Sequence, residues 1–484
     1  MDAFRKNTEL IVLLFTIAVV AVWQIFFIYQ LPDGDTDAYA HFIIARDIVR
    51  NGSNLSLHWV WLPLFHYIGA FFVSIGSEMQ TLRYINVIVW NAIPVILYFY
   101  IKKKEPQSLI AVSAAMLAAL SPIGILMGTT AQPEPLFALF ILLIVITLEN
   151  RKYFSSAIIL SLACMLRYEA WAVLAGITIY LLIIIIKERK LKTALFGNTY
   201  SAFLVILLPA FTIIIWTILR YLSDGSWFLF LHGTQKFASD ALRQNNEIGG
   251  GIINVIKDTF FYVFWIPFIF TGVTVLLVPA GFKKFYSQNK IMFVTGTAIL
   301  LFITLSWILK ANLGLNRHFT SIIPFYSLMS AYGLFIITEY FKKYKILKSG
   351  KVIPVLALVI ILVYSVMWLY IWRKNNEASF TEKKSAAEFI RQVYSSGTSG
   401  KFMIISNEPV VEILSKIDYR LFDHFWMEEN QETADYLLSF KKSDKSYYII
   451  ANSKLGLFLK RFGDVIYETN KDSSIGNGVI IIKD

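Results

Sequence analysis

Apolar windows of about 20 residues recur along the chain from Leu10 to Trp372, and each is long enough to cross a bilayer as a helix. After Arg373 the pattern changes: no later apolar run can span a membrane, and short helical and strand-like segments alternate. The pattern predicts a polytopic α-helical membrane domain, residues 1–372, followed by a small soluble α/β domain, residues 373–484.

Composition supports this division of the chain. The 484 residues are 56% hydrophobic and only 16% charged, whereas a soluble globular domain carries about 25% charged residues. This excludes an ordinary water-soluble enzyme. Residues 373–484 contain 16 Lys and Arg and 16 Asp and Glu, so the net charge of +12 belongs to the membrane domain. Such a basic excess is typical of cytoplasmic loops that face an anionic leaflet, so it indicates a lipid bilayer as the partner and no nucleic acid.

The positions of the basic clusters predict which way each span runs. The clusters are Arg5-Lys6, Lys102-Lys103-Lys104, Arg151-Lys152, Lys187 to Lys192, Lys283-Lys284 and Lys342 to Lys351. Eleven spans place all of them inside: 10–31, 83–101, 109–128, 134–149, 154–166, 169–186, 198–220, 257–279, 291–310, 318–340 and 351–372. This multi-pass topology in the plasma membrane predicts an extracytoplasmic C-terminal domain.

One apolar stretch, Leu62 to Ile75, is not counted as a span. It has about 14 residues, which is short for a hydrocarbon core about 30 Å thick. We interpret it as an interfacial or re-entrant helix of a long first outer loop, residues 32–82. The single Cys164 lies in an apolar segment and excludes an intrachain disulfide.

Many polar residues fall on the outer side of this topology, although they were not used to derive it. They include all six histidines, three early aspartates and several charged residues at the outer ends of different spans. Polar groups that converge from many helices on one membrane face predict a catalytic or binding cavity there.

The densest polar segment contains Asp33, Asp35 and Asp37, directly after the first span and just before Tyr39 and His41. Three carboxylates so close together repel one another unless a cation or a proton relieves them. They are therefore suited to a general base or to a divalent metal such as Mn²⁺ or Mg²⁺. The alternative is a solvated capping loop in which Asp37 caps the following amphipathic helix.

An aromatic stretch with two histidines follows in the first outer loop. His58, Trp59, Trp61 and His66 are candidates for stacking on a sugar or lining a lipid groove, and the alternative is an aromatic membrane anchor. Glu134, between two prolines at the start of a span, is a candidate binding residue or a carboxylate placed by the helix dipole.

Cationic residues lie near the outer ends of later spans. Arg167 and Glu169 form a structural ion pair, or Arg167 binds a phosphate with two parallel hydrogen bonds. Lys310, Arg317 and His318 bracket a short loop and form a candidate anion site. The alternative for them is juxtamembrane snorkelling.

Several of these motifs resemble those of a known family. The segment Asp35-Thr-Asp37-Ala-Tyr-Ala-His41 resembles the first outer loop of GT-C glycosyltransferases that use polyprenyl-phosphate-linked sugars. Further motifs are similar to the protein-mannosyltransferase and aminoarabinose-transferase branch: Leu62-Pro63-Leu64, Leu82-Arg83-Tyr-Ile-Asn86, Ser121-Pro122, Glu134-Pro135-Leu136 and Arg317-His318-Phe319.

The resemblance implies a GT-C fold and a glycosyltransferase. In that family an acidic residue of the first outer loop is the catalytic base or a metal ligand, which implies one of these roles for Asp35 or Asp37. The donor is then a polyprenyl-phosphate-linked sugar, and the acceptor is a hydroxyl of a glycan, lipid or protein. Arg167, Lys310, Arg317 or His318 would neutralise the departing phosphate, and direct displacement would invert the anomeric centre.

A second function class remains open at this point. In a transporter or flippase for a lipid-linked sugar, the same carboxylates would carry protons or cations. The chain has no clear matched halves of the kind that inverted-repeat transporters have, and this favours the transferase.

Overall fold

The structure is a computed structural model of the full chain. It describes residues 2–52, 54–105, 107–190, 196–244, 256–257, 259–261, 267–268, 272–309, 311–312, 314–344, 352–396, 403–425, 427, 429–441, 447–469 and 478–483.

Helices dominate the described residues up to position 396. They are α1 Asp2–Gln30, α2 Thr36–Asn51, α3 Leu64–Ser74, α4 Met79–Lys104, α5 Ser108–Ala119, α6 Pro122–Met127, α7 Glu134–Glu149, α8 Tyr153–Cys164, α9 Glu169–Lys190, α10 Phe196–Asp224, α11 Leu229–Gln244, α12 Val278–Gln288, α13 Lys290–Ile308, α14 Ile323–Lys343 and α15 Val352–Ser395. Short 3₁₀ segments cover Leu55–His58, Gly272–Leu277 and Asn316–Ile322.

Six of these helical segments are long and apolar enough to cross a membrane, among the residues that the structure describes. The predicted class, a polytopic α-helical membrane protein, is confirmed. Ten of the eleven predicted spans overlap helices. The remaining one, 257–279, falls largely outside the described residues.

The predicted span 109–128 is two helices rather than one. α5 ends at Ala119 and α6 begins at Pro122, because the residue before a proline is driven out of the helical region. Ser121 has extended dihedrals of −65° and 120°. The carbonyl of Leu120, freed by the break, accepts a hydrogen bond from the Ser365 hydroxyl of α15.

The stretch that was not counted as a span is the helix α3. Its 11 residues extend about 16 Å, about half the thickness of a hydrocarbon core. Phe65, His66, Gly69 and Ala70 are buried on one side of it. Its length agrees with the interfacial interpretation.

Polar side chains join several helices at the end of the bundle where α4 and α7 end. Lys104 Nζ lies 2.8 Å from Glu149 Oε2 and 2.9 Å from Asn289 Oδ1. The Tyr100 hydroxyl donates to Glu149 at 2.7 Å. These residues, with Glu105 and Tyr332, form what we term the Glu149 network: Tyr100, Lys104, Glu105, Glu149, Asn289 and Tyr332.

The chain divides into two compact units. One comprises residues 1–32 and 44–369, and the other comprises residues 33–43 and 370–484. We term these the membrane unit and the C-terminal unit. The helix α15 runs unbroken from Val352 to Ser395 and so continues from one unit into the other, whereas the sequence suggested a span and a separate later helix.

The C-terminal unit contains a five-stranded mixed sheet in the order β2-β1-β3-β5-β4. The strands are β1 Met403–Ser406, β2 Phe422–His424, β3 Tyr447–Asn452, β4 Asp464–Glu468 and β5 Val479–Lys483, with helices α16 Pro409–Ser415, α17 Gln431–Lys441 and α18 Gly456–Leu459. Strands β1, β2 and β3 are parallel, whereas β5 is antiparallel to both β3 and β4.

Alternate residues of each central strand lie on opposite faces of the sheet. Ile404 and Tyr448 pack in the core layer that includes Ala387 and Ile390 of α15. Ile405 and Ile449 pack in the layer on the other face. Because both faces are buried, β1 and β3 are continuous apolar runs. The predicted α/β character of this region is confirmed.

Candidate functional site

Charged side chains from three separate segments of the membrane unit meet at the start of α7. Arg167 Nη1 lies 2.6 Å from Glu134 Oε1, and Arg167 Nη2 lies 2.8 Å from Glu169 Oε1. The side chain of Arg167 is 13% exposed, and the two carboxylates are 3% and 5% exposed. The ion-pair alternative for Arg167 and Glu169 is thus what the structure shows, with Glu134 as a further partner.

Arg317 and His318 join this group from the 3₁₀ segment before α14. Arg317 Nε lies 3.4 Å from Glu134 Oε1, the longest of the ion pairs to this carboxylate. His318 Nδ1 lies 2.6 Å from Arg167 Nη2. We term the five residues the Glu134 cluster: Glu134, Arg167, Glu169, Arg317 and His318.

The contacts of His318 determine its tautomer. Both Arg167 Nη2, at 2.6 Å, and Glu169 Oε1, at 3.3 Å, approach its Nδ1 atom. A guanidinium only donates, so Nδ1 must accept in the shorter contact, and we assign the hydrogen bond to it. His318 is then neutral, and its proton is on Nε2. Within the cluster it accepts a hydrogen bond from Arg167, and its N–H donor is on the other ring nitrogen.

Local sequence explains why Glu134 is held so firmly. Pro133 and Pro135 flank it in the first turn of α7, where proline is compatible with a helix start. The preceding turn is clamped by α4: Arg83 Nε donates to the Thr129 carbonyl at 2.7 Å, and Asn86 Nδ2 donates to the Gln132 carbonyl at 2.7 Å.

These two α4 residues were quoted only as part of a motif, and their positioning role was not predicted. The available signal was an arginine and an asparagine three residues apart in an otherwise apolar span. Polar residues at such positions need partners, and here the partners are the carbonyls of the turn before Glu134.

The Glu134 cluster has unused hydrogen-bonding capacity. Its two arginines balance its two glutamates, yet Glu134 Oε2 is buried and makes no hydrogen bond among the described residues. A buried carboxylate oxygen without a donor is costly unless a ligand or water supplies one. The cluster is therefore a candidate binding site, and Arg167 is the residue that holds its two carboxylates together.

An apolar cavity of about 500 Å³ lies between α12, α13 and α14, and one of its wall residues is a chain neighbour of the Glu134 cluster. Its walls include Ile322, four residues after His318, and five further residues of α12, α13 and α14: Val278, Phe285, Gly296, Leu300 and Phe325. A hydrocarbon chain is the kind of ligand that suits such a lining.

The first-outer-loop histidines form a buried pair in the membrane unit. His58 Nδ1 lies 2.8 Å from His66 Nδ1, so one ring donates and the other accepts. Burial and, to a smaller extent, the charge of Arg220 together lower the pKa of His58 to about 4. Arg220 itself donates to Asp224 and to the Leu55 carbonyl, which fixes the loop against the end of α10.

Trp59 and Trp61 lie beside this pair, with ring centroids 5.7 Å apart in an edge arrangement. Trp59 has a φ of 45°, a conformation that is strained for a bulky residue. Such strain is found preferentially at functional sites. Sugar stacking by Trp59 and Trp61 stays a prediction, as does a substrate contact for His58 or His66.

The early aspartates belong to the C-terminal unit, and their capping roles differ from those expected. The helix α2 begins at Thr36, and Asp35 Oδ1 accepts the Asp37 backbone N–H at 3.0 Å. Asp35 is therefore the N-cap, and the expectation that Asp37 caps this helix was wrong. Asp33 Oδ1 likewise accepts the Asp35 N–H at 3.2 Å. Sequence alone misplaced the helix start by two residues, which reversed the two roles.

The remaining residues of the predicted site are placed as follows. Tyr39 and His41 are 1% and 4% exposed within the C-terminal unit. Lys310 lies outside the described residues. A metal at Asp35 and Asp37 stays a prediction. The Asp35 carboxylate already accepts a backbone N–H, and the described part of the chain holds no group of three or more His, Cys, Asp or Glu side chains arranged for a metal ion.

Comparisons with known proteins agree with this description. Residues 62–216, which contain Arg83, Glu134, Arg167 and Glu169, match the family described as dolichyl-phosphate-mannose-protein mannosyltransferase. The predicted resemblance is confirmed over this range, and with it the predicted class of enzyme, a glycosyltransferase. A search of curated protein sequences gives no match.

Two crystal structures of ArnT from Cupriavidus metallidurans superpose on nearly the whole chain. The one bound to undecaprenyl phosphate has a TM-score of 0.62 and 10% identity, covering 98% of this chain and 97% of ArnT. The apo structure has a TM-score of 0.64 and 11% identity, covering 99% and 98%. The chain has the ArnT fold. At such low identity the likeness shows the fold alone. Because it covers 98% or more of this chain, the shared fold extends from the first span through the C-terminal sheet.

Proposed function

We propose that this protein transfers a sugar from a polyprenyl-phosphate donor to an acceptor hydroxyl of a glycan, lipid or protein, with inversion at the anomeric carbon. The observation that carries the proposal is the Glu134 cluster: its arginines are partly buried, and Arg317 precedes Ile322, a wall residue of the apolar cavity, by five residues along the chain. A lipid phosphate combines an anionic head with a hydrocarbon tail. The cations of the cluster suit the head, and the apolar cavity suits the tail. The ArnT structure with bound undecaprenyl phosphate supports a donor of this class.

We assign different roles to the residues of the cluster in binding the donor phosphate. Arg167 already donates to Glu134, Glu169 and His318, so we assign it to holding the cluster together. Arg317 makes the longer of the two ion pairs to Glu134, and His318 has a donor on Nε2, so we assign these two to the phosphate oxygens. Charge-assisted hydrogen bonds there would stabilise the leaving group as negative charge develops on it.

The chemical step needs a base for the acceptor. The acceptor oxygen attacks the anomeric carbon, the bond from that carbon to the phosphate oxygen breaks, and the polyprenyl phosphate leaves with the bonding electrons. The acceptor proton passes to a carboxylate of the acidic segment. We assign this role to Asp37, because Asp35 Oδ1 is occupied as the N-cap of α2.

The test compares two amide substitutions in the purified protein, with release of radiolabelled sugar from a polyprenyl-phosphate donor as the measurement. Asp37→Asn is expected to abolish transfer nearly completely, because an amide cannot accept the proton. Asp35→Asn is the matched control: asparagine also caps helices, so this variant should retain most of the activity.

The outcomes distinguish the proposals. Full activity in both variants would contradict the base assignment and direct attention to Glu134. Equal failure of both, with partial rescue of Asp35→Asn by Mn²⁺ or Mg²⁺, would favour a bridging metal. A wild-type protein that moves the labelled lipid across vesicles but never releases sugar would be a transporter.

We also propose that the C-terminal domain and the active site face the outside of the plasma membrane, on the basis of the basic clusters. Cysteines at Lys454, exposed in the C-terminal unit, and at Lys103, at the end of α4, test this in a Cys164→Ser background. An impermeant thiol reagent should label position 454 in intact cells and leave position 103 unlabelled. Labelling of position 103 alone would reverse the topology.

A further inference from the structure

The acidic segment is packed against α15 within the C-terminal unit. The ring of Tyr39 stacks on the ring of Phe380, with centroids 6.2 Å apart and planes 28° apart. Both side chains are buried, at 1% and 6% exposure. The Tyr39 hydroxyl donates to the Asp33 carbonyl at 3.2 Å, so the ring that meets Phe380 is also bonded to the start of the acidic segment.

The position of Phe380 is in turn determined by the soluble core. Phe380, Lys383, Ala387 and Ile390 recur every three or four residues and therefore share one face of α15. Ala387 and Ile390 are buried in the core layer under the sheet. Lys383 makes a buried ion pair of 3.0 Å with Glu408, two residues after the end of β1.

These contacts form a continuous path from the sheet to the carboxylates. The sheet core and the Glu408 ion pair hold α15, Phe380 holds Tyr39, and Tyr39 holds the Asp33 carbonyl. Asp33 and Asp35 are linked by backbone-to-carboxylate hydrogen bonds that shape the segment locally but do not orient it. Orientation must come from a contact outside the segment, and the stack on Phe380 is such a contact.

We propose that Phe380 is a positioning residue for the catalytic step. Through it, the C-terminal unit fixes the orientation of Asp35 and Asp37. This inference rests on the proposed function only for its kinetic consequence. The positioning itself is a structural statement about residues 33–43 and is tested separately.

The first test measures backbone hydrogen exchange in the full-length protein in detergent. Phe380→Ala should accelerate exchange of the amides of residues 35–41 by about tenfold or more, because local opening limits exchange there. Phe389→Ala is the matched control. It removes the same ring from the same helix, but Phe389 stacks on Tyr467 at 4.8 Å instead. It should leave exchange of residues 35–41 unchanged.

The second test measures transfer kinetics of the same variants. Phe380→Ala should lower kcat by about tenfold or more, since a small misplacement of a reacting group is costly, while KM for the donor stays within about twofold. Phe389→Ala should retain both constants. Tyr39→Phe keeps the ring and loses the hydroxyl bond to Asp33, so it should give a smaller decrease in kcat and serves if Phe380→Ala does not fold.

The two measurements separate the positioning role from the proposed function, because each can be contradicted without the other. Unchanged exchange in both Phe380→Ala and Tyr39→Phe would overturn the positioning role, whatever the activity. Accelerated exchange without any sugar transfer by the wild type would support the positioning contact and overturn the proposed function. Equal loss of activity in Phe380→Ala and Phe389→Ala would show a general effect on the domain and would also overturn the inference.

Discussion

Two polar groups occupy opposite ends of the same helix, and they differ in how completely they are paired. Glu134 begins α7 and Glu149 ends it, about 22 Å apart along the axis. Glu149 receives the Tyr100 hydroxyl and the Lys104 ammonium. Glu134 receives two arginines on one oxygen, and its other oxygen is buried without a hydrogen bond among the described residues.

We interpret the difference as that between a structural network and a candidate binding site. A network whose members are satisfied stabilises the packing of the helices that supply them, here α4, α7, α13 and α14. A cluster with a buried, unmatched oxygen carries a free-energy cost that native proteins retain mainly where a ligand or a reaction uses it. Three substitutions test this distinction and a change of pH tests a third polar group, the buried His58 pair; they follow in order of decreasing expected effect.

Removal of the central cation should have the largest effect. Arg167→Met leaves Glu134 and Glu169 buried without their main counterion, which should lower the free energy of unfolding by about 3 to 5 kcal/mol. Thermal unfolding in detergent measures the loss. Arg373→Met is the control, because the pair of Arg373 with Glu377 is almost half exposed and should contribute little. Equal melting temperatures for the two variants would contradict the role of Arg167.

Arg317→Ala should impair the reaction more than the fold. Loss of one charge-assisted contact to the donor phosphate costs about 1.5 to 3 kcal/mol, or roughly 10- to 150-fold in kcat/KM. Steady-state kinetics with the lipid donor provide the measurement, and Arg317→Lys should recover part of the activity. Unchanged donor kinetics in a correctly folded Arg317→Ala protein would place the anion site elsewhere.

The His58 pair predicts an acid-sensitive first outer loop. The unfolded chain protonates His58 near pH 6.5, but the folded protein does so only near pH 4. The free energy of unfolding should therefore decrease as the pH falls from 6.5 to 4, by about 2 kcal/mol at pH 5. Melting temperatures at pH 7.5 and pH 5 measure this. His58→Phe should show a smaller difference between the two, and an identical pH dependence would refute the assignment.

Glu149→Gln should have the smallest effect. The amide still accepts a hydrogen bond from Tyr100 but loses its charge interaction with Lys104, which costs about 1 kcal/mol of stability. Activity should be retained, because this network lies at the other end of α7. A decrease in kcat/KM comparable to that of Arg317→Ala would show that the two ends are coupled and would remove the distinction drawn here.

Much of the candidate site could be predicted from sequence, but its internal pairing could not. Glu134, Arg167, Glu169, Arg317 and His318 were all identified, because charged residues at the ends of apolar spans are rare and conspicuous. That Arg167 binds both glutamates depends on three segments meeting in space. Arg83 and Asn86 were noted only as a motif, because the carbonyls that they hold belong to a turn more than 40 residues away.

By itself the sequence determined the helical membrane character, the α/β nature of the tail and the identity of most polar candidates. These follow from local hydrophobic periodicity and from the cost of placing charge in lipid, which neighbouring residues report. Only the tertiary structure decided that Asp35 rather than Asp37 caps α2, that the acidic segment packs with the C-terminal unit, and that Phe380 meets Tyr39. The last two of these contacts join residues hundreds of positions apart, and their free energies depend on distance and burial, which no local pattern encodes.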